Sequence, residues 1–500
     1  MELAFQENQT KCMEQLFHDT VIQEETVEII VPEGWPDIYR VVDSFAEVAL
    51  RQKEVGTGIV TVSGGVRGGI LYVSEEEQTP KLLQTYLPFT VKKEIERLEV
   101  NDKVQVQLQV CGADARMISS RKAMLRVNLA SIFKAYTSQQ VVTYTLPEQE
   151  SSVMTYDSVL PMKLCLETEE KSFSVNEELL LPDSLPAVEE IFKEQYRLSV
   201  TEKKMVGSKV AFKGSIGVHT LYSSQDGGLN SYDGEIPFSQ YLELPEDRDG
   251  CEPEVMLSVT GAELQTDGQL DCHRLLLNLN LLAQCSVFGI CSVPFVSDAY
   301  CTEQTLVPEY HSVSLTGLLD HREYRDTMVS KLTVPMKKLI DVYAYPEQVR
   351  QNRNGDSICL QYGLNVNLLY FDQENQLQGR TVHIEQSEDM SLSPNGQCHA
   401  ELQLPEPCTV MNGGQTELRC PIVSVVDSFA AQEIRGICGG KTEPIENDDE
   451  RPSLILRRVG QEESLWSIAK AYRTTVQKIM EANGLQEEAA MSDLLLLIPM

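Results

Sequence analysis

Two stretches decide how the chain is read: V-T-V-S-G-G-V-R-G-G-I-L-Y from Val60 to Tyr72, and V-A-F-K-G-S-I-G-V-H-T-L-Y from Val210 to Tyr222. In the first, Val60, Val62, Gly64, Val66 and Gly68 share one face, while Thr61, Ser63, Gly65 and Arg67 share the other. Alternation with a period of two marks a half-buried strand, not a helix. The flanks repeat as well. Pro36 opens P-D-I-Y-R-V-V and Pro186 opens P-A-V-E-E-I-F; each lies 36 residues before its tyrosine, and the copies are offset by 150. L-P-F at 87–89 answers I-P-F at 236–238, and C-G-A from Cys111 answers T-G-A from Thr260. A fainter third copy runs from Pro335 (P-M-K-K-L-I) to I-C-L-Q-Y-G-L-N-V-N-L-L-Y, which ends at Tyr370, with Tyr362 where the others have Gly64 and Gly214.

Working outward, V-Q-V-Q-L-Q-V from Val104 and L-N-L-N-L from Leu277 alternate in the same way. Asp226-Gly227-Gly228, Asp249-Gly250 and Asn412-Gly413-Gly414 supply turn signals between such runs. After Pro36, Ile38, Val41, Val42 and Phe45 fall at helical spacing, which predicts one short helix per copy. The expected fold is mainly β: three tandem β-rich, sandwich-like repeat domains with short helices, plus a small α+β (βααβ) domain. The expected boundaries are an N-terminal segment at 1–19, repeats at 20–136, 160–291 and 305–438, an acidic linker at 439–453 and a last domain at 454–500.

The chain has 500 residues, 42% of them hydrophobic, which suits several globular domains of ordinary size. Its 42 Lys and Arg against 75 Asp and Glu leave a net charge of −33, and no basic stripe interrupts the acidity, so nucleic acid is excluded as an expected partner. The middle copy is the most acidic, with 9 basic and 22 acidic residues from Cys165 to Cys291. M-E-L-A-F-Q-E-N lacks the basic and apolar regions of a signal peptide, and no run has the length of a transmembrane helix, so a soluble chain is expected. The 13 cysteines include no C-x-x-C pair, which points to free thiols; Cys285, Cys291 and Cys301 lack structural-zinc spacing.

Chemistry is sparse. Gly64 to Gly69 has the spacing of a phosphate loop, but Ile70 and Leu71 occupy the positions where Lys and Ser/Thr would reach phosphate and Mg²⁺. The seven histidines are dispersed, with no H-E-x-x-H, and no G-x-S-x-G nucleophile elbow occurs. His219, between Val218 and Thr220, reads as a surface or hydrogen-bonded strand residue. Asp37 corresponds to Ala187 and Met336 in the other copies, so it carries no repeated catalytic role. No cofactor, metal site or catalytic residue is expected, and no enzyme.

From Lys441 to Ser453 the composition turns acidic and Pro-containing, as in an exposed linker. A strand follows at Leu454–Val459. Ser464 caps a helix carrying Leu465, Ile468, Ala469 and Tyr472 on one face, and Thr475 caps a second with Val476, Ile479 and Met480 inward. Asn483-Gly484 stops that helix, and Leu494–Ile498 closes the unit as a strand. This pattern resembles the LysM domain, through S-L-W-S-I-A-K-A-Y to Tyr472, T-T-V from Thr474, Asn483-Gly484-Leu485 and Leu496-Leu497-Ile498-Pro499.

LysM domains bind N-acetylglucosamine-containing glycans in a groove between two loops. By position, the resemblance implies a partner- or glycan-binding groove of Glu462, Glu463, Ser464 and Leu465 with Trp466, facing Asn483, Gly484 and Leu485. The family's usual Gly-Asp-Thr-Leu is Glu462-Glu463-Ser464-Leu465 here, and glutamate lacks glycine's close backbone approach to a sugar. The repeats, in turn, resemble the SPOCS domain of endospore-forming Clostridia. Tandem SPOCS copies with one C-terminal LysM are similar to the SipL-like family of spore-coat morphogenetic proteins. That resemblance implies a non-enzymatic scaffold of the mother-cell cytoplasm at the forespore surface. Its implied partners are the coat-basement ATPase SpoIVA, bound through the LysM domain, and other coat proteins.

Overall fold

The computed structural model describes residues 2–74, 80–146, 152–268, 272–391, 396–413, 415–445, 452–460, 463–486 and 494–500. The first copy contributes β1 (Glu2–Ala4), β2 (Gln6–Ile30), β3 (Arg40–Gly56), β4 (Ile59–Val73), β5 (Pro80–Glu94), β6 (Lys103–Ser119) and β7 (Lys122–Thr145). The second contributes β8 (Val153–Leu180), β9 (Val188–Val206), β10 (Lys209–Ser224), β11 (Leu229–Glu243), β12 (Glu252–Thr266) and β13 (Arg274–Cys301). The third contributes β14 (Thr305–Leu332), β15 (Met336–Pro346), β16 (Arg350–Asn354), β17 (Ser357–Asp372), β18 (Leu377–Ser391), β19 (Gly396–Gln403), β20 (Thr409–Gly413) and β21 (Gln415–Glu443). The last unit is β22 (Leu454–Arg458), α1 (Leu465–Tyr472), α2 (Val476–Asn483) and β23 (Leu495–Pro499).

The fold is mainly β. Each copy builds two antiparallel sheets: an upper one centred on β4, β10 or β17, and a lower one centred on β7, β13 or β21. The decisive alternating stretches are therefore the central strands of the upper sheets. The lower strands are long, and β2–β7, β8–β13 and β14–β21 form three ribbons. The ribbons pack on one another through matching residues: Cys12, Met162 and Leu315 share one buried cluster with Val141, Val293 and Ile434. The short β1 pairs with β21, tying the first copy to the third.

The short helix expected after Pro36 is absent: Arg40–Gly56 is a strand. The adjacent apolar pair Val41-Val42, which mimics helical spacing, is a β-bulge, with a register shift between Val41 and Asp43. An extra residue in a strand turns two successive side chains toward buried surroundings. The second copy shifts register at the corresponding place, around Phe192, and the third around Ile340. Val42, Phe192 and Ile340 lie in one buried cluster with Leu71, Leu221 and Leu369. The bulges are thus the points at which the three copies meet.

Immediately after each bulge comes an ionisable residue: Asp43 opposite Leu71, Lys193 opposite Leu221, Asp341 opposite Leu369. These three equivalent positions converge. Lys193 Nζ donates to Asp43 Oδ2 at 3.3 Å and to Asp341 Oδ2 at 2.9 Å, with all three side chains buried. His219, far from surface-lying, is 1% exposed; its Nε2 is 2.8 Å from Asp341 Oδ1 and its Nδ1 3.1 Å from Asp233. Arg197 completes the network at 2.6 Å from Asp233. Burial raises Asp43 above the usual carboxylate range, with Lys193 opposing it. At Asp341 burial is outweighed by His219 and Lys193, which hold that carboxyl well below its ordinary value. Burial would lower His219, but Asp341 and Asp233 outweigh it and raise the imidazole above its ordinary value.

The contacts run head to tail around this centre. Ser231 Oγ of the second copy donates to the carbonyl of Ile340 in the third at 2.8 Å, and Asn367 of the third donates to the carbonyl of Ser44 in the first at 3.0 Å. Between the first and second, Gln284 exchanges two hydrogen bonds of 2.8 Å with the backbone of Val106. Heterologous contacts that close on themselves make a ring; here one chain supplies all its members.

The glycines of the decisive stretches have a packing cause. A Cβ on Gly214 would lie 1.9 Å from the carbonyl oxygen of Ser199 and 2.7 Å from the ring of Phe238, beside the register shift in β9. In the third copy the paired strand is broken between Pro346 and Arg350, and the buried Tyr362 takes the glycine's place. Gly214→Ala is expected to lower stability by about 1–3 kcal/mol, the usual cost of overpacking, as read by urea denaturation of the full chain.

Candidate partner-binding site

The C-terminal unit is a two-stranded sheet with two helices on one face. Ser464 caps α1, accepting from Ser467 N at 3.1 Å while its own N–H donates to Ser467 Oγ at 3.1 Å. Thr475 caps α2, and Gly484, with φ of +63°, ends it in the left-handed conformation that glycine adopts without strain. Val459, Leu465, Ile468, Ala469, Ile479, Leu496 and Ile498 form its core.

Most of the expected groove residues have structural work to do. Glu463 accepts from Gly460 N at 3.0 Å and pairs with Arg457 at 2.5 Å. Leu465 is buried in the core. The Asn483 amide donates to the carbonyls of Ile479 and Leu497 and accepts from Leu497 N at 2.7 Å, which fixes α2 to β23. Gly484 is exposed and Leu485 half-buried at the C-terminus of α2, where they line a shallow open groove with Val476 and Met480. Ser464 is exposed on the opposing loop. Glu462 lies outside the described residues.

Trp466 does something the sequence does not announce. Its Nε1 donates to Asp298 Oδ2 at 2.8 Å, and Lys470 Nζ donates to Asp298 Oδ1 at 2.5 Å. Tyr300 inserts from β13 into the core of the last unit, packs edge-on against Trp466 at 4.9 Å and donates its OH to the carbonyl of Thr474 at 2.7 Å. Tyr156, from β8, lies 5.2 Å from Trp466, and Arg473 reaches Thr305. Burial would raise the Asp298 carboxyl, but its bonds from Lys470 and Trp466 win and hold it below the usual range. Burial pushes the Tyr300 hydroxyl up to about 12. The unit is therefore docked on the ribbon end through the outer side of α1, and the α2 groove remains open.

One further cluster has the residue types of a metal centre: Glu254, His321 and Glu323 bring ligand atoms within 4.8 Å of one another. The Lys203 ammonium already stands among them, 2.6 Å from Glu254 and 3.1 Å from Glu323. Asp427 and Glu323 raise His321 to about 10, so it too is a cation. These groups form an ion-pair network joining the second and third copies, and a metal cation would meet two positive charges.

Two known families match parts of the chain. Residues 458–489 match the LysM domain, a non-catalytic binding module. Residues 187–266, spanning β9 through β12, match the SPOCS domain of SipL. Together the two modules fit a sporulation coat protein with a domain of the peptidoglycan-binding type. No curated protein and no solved structure matches the chain significantly. Among the described residues no helix is long and apolar enough to cross a membrane.

Proposed function

We propose that the chain is a non-enzymatic scaffold of endospore coat assembly, acting in the mother-cell cytoplasm at the forespore surface. On this reading residues 20–136, 160–291 and 305–438 are three SPOCS-like domains, and the LysM domain docks the coat-basement ATPase SpoIVA. The observation that carries it is the joint occurrence of a SipL-type SPOCS match and a LysM match in one chain. The docked position of α1 supports a rigid adaptor, because it leaves the Met480–Leu485 side of the LysM domain outward. Many such chains on a polymerised layer would gain avidity from weak single contacts.

The LysM match itself favours a second reading, binding of peptidoglycan or cortex glycan. Immobilised full-length protein separates the two. The scaffold reading expects retention of purified SpoIVA, at least a tenfold loss of that retention in Leu485→Asp, and no retention of the chain on insoluble peptidoglycan. Binding to peptidoglycan with no capture of SpoIVA would replace it with the glycan reading.

A further inference from the structure

We infer that Cys408 and Cys420 form an oxidisable dithiol, a site at which the third copy can be covalently closed. In the hairpin of β20 and β21, Val410 pairs with Leu418 and Thr409 with Arg419, where the ladder ends; Cys408 comes just before β20, and continuing the register by one step sets it opposite Cys420, whose thiol neighbours its own. Residues directly opposite in an antiparallel ladder have Cα atoms roughly 4.5–5.5 Å apart. A disulfide spans roughly 4.4–6.8 Å, so the backbone need not move. Opposed residues also point to the same face, and both thiols are buried in the core cluster of the third copy, Cys408 at 8% exposure and Cys420 at 0%. Within the ladders of the described residues no cysteine stands opposite a second one: Cys12 faces Gln139, Cys165 faces Phe288, Cys285 faces Glu169 and Cys398 faces Ser428. The neighbouring Cys420 thiol, and then burial, push the Cys408 thiol well above its usual value, as two close thiols in an apolar setting should. That makes the pair slow to react and, once closed, shielded from reductant.

The chemistry is thiol–disulfide exchange with a low-molecular-weight disulfide as oxidant. The Cys408 thiolate attacks one sulfur of the small disulfide, forming a mixed disulfide and releasing one small thiolate. The Cys420 thiolate then attacks the Cys408 sulfur and releases the second. Two protons pass from the protein thiols to the two small thiols, the protein pair is oxidised by two electrons, and the small disulfide is reduced by two.

The test uses the reduced full chain, incubated with oxidised glutathione, then denatured, alkylated and digested with trypsin. Trypsin cuts after Arg419, so the two cysteines fall on separate peptides, 381–419 and 420–435. The expected result is a cross-linked pair of these peptides joined at Cys408 and Cys420, a loss of two of the 13 thiols, and no link in Cys408→Ser. Fragmentation distinguishes Cys408 from Cys398, which shares its peptide. Recovery of Cys420 fully alkylated, or joined to any cysteine other than Cys408, would overturn the inference.

Discussion

Lys193→Met should lower the stability of the full chain by about 3–5 kcal/mol, the range for removing one partner of a buried ion pair. The side chain is 1% exposed and is the cation between Asp43 and Asp341, so its loss leaves two buried carboxylates facing each other. His219 still serves Asp341, but no other base is within salt-bridge reach of Asp43 among the described residues. Chemical denaturation reads the loss, and the three copies should fail together because all of them meet there. A charge exchange tests the equivalence of the positions. Asp43→Lys with Lys193→Asp moves the cation one step around the ring, and the double variant should be more stable than Lys193→Asp alone. Equal or lower stability of the double variant would mean that the positions are not interchangeable.

Tyr300→Ala should detach the LysM domain from the ribbon end and destabilise the domain itself by about 3–5 kcal/mol, the usual cost of truncating a buried aromatic. Tyr300 is 5% exposed and sits in the core of a unit about 46 residues long, a size at which one aromatic is a large share of the core. Tyr300→Phe keeps the packing and loses only the bond to Thr474, about 1 kcal/mol. Hydrogen exchange of the full chain follows the outcome: in Tyr300→Ala, protection should fall in α1 and α2 while β4, β10 and β17 keep theirs. Unchanged protection in the helices would show that the domain stands without the ribbon. Such dependence on β13 also makes the full chain, not the excised LysM segment, the right object for binding measurements.

Much of this was legible in the residues, where the determining interactions are local. Alternation from Val60 to Tyr72 and from Val210 to Tyr222 reports strands because each strand has one face on a core. Ser464, Thr475 and Gly484 report the LysM helices because capping is decided within one turn. The misread helix after Pro36 shows where local pattern fails: a bulge and a helical turn both bring neighbouring apolar residues to one side, and only the partner strand distinguishes them. Lys193 carries no local signal of its burial, since its partners lie 150 residues before and 148 after it. Asp298 and Tyr300 carried no signal at all; their partners are 168 and 174 residues away. The groove inferred by position mixes exposed residues with capping and core residues, because a family pattern records what holds a small domain together as well as what it binds.

The scaffold account stands most directly on where the protein goes. A fluorescent fusion of the full chain, followed through sporulation, should gather as a shell around the forespore and should disperse into the mother cell when SpoIVA is removed. A shell that persists without SpoIVA, or a diffuse signal throughout sporulation, would contradict it.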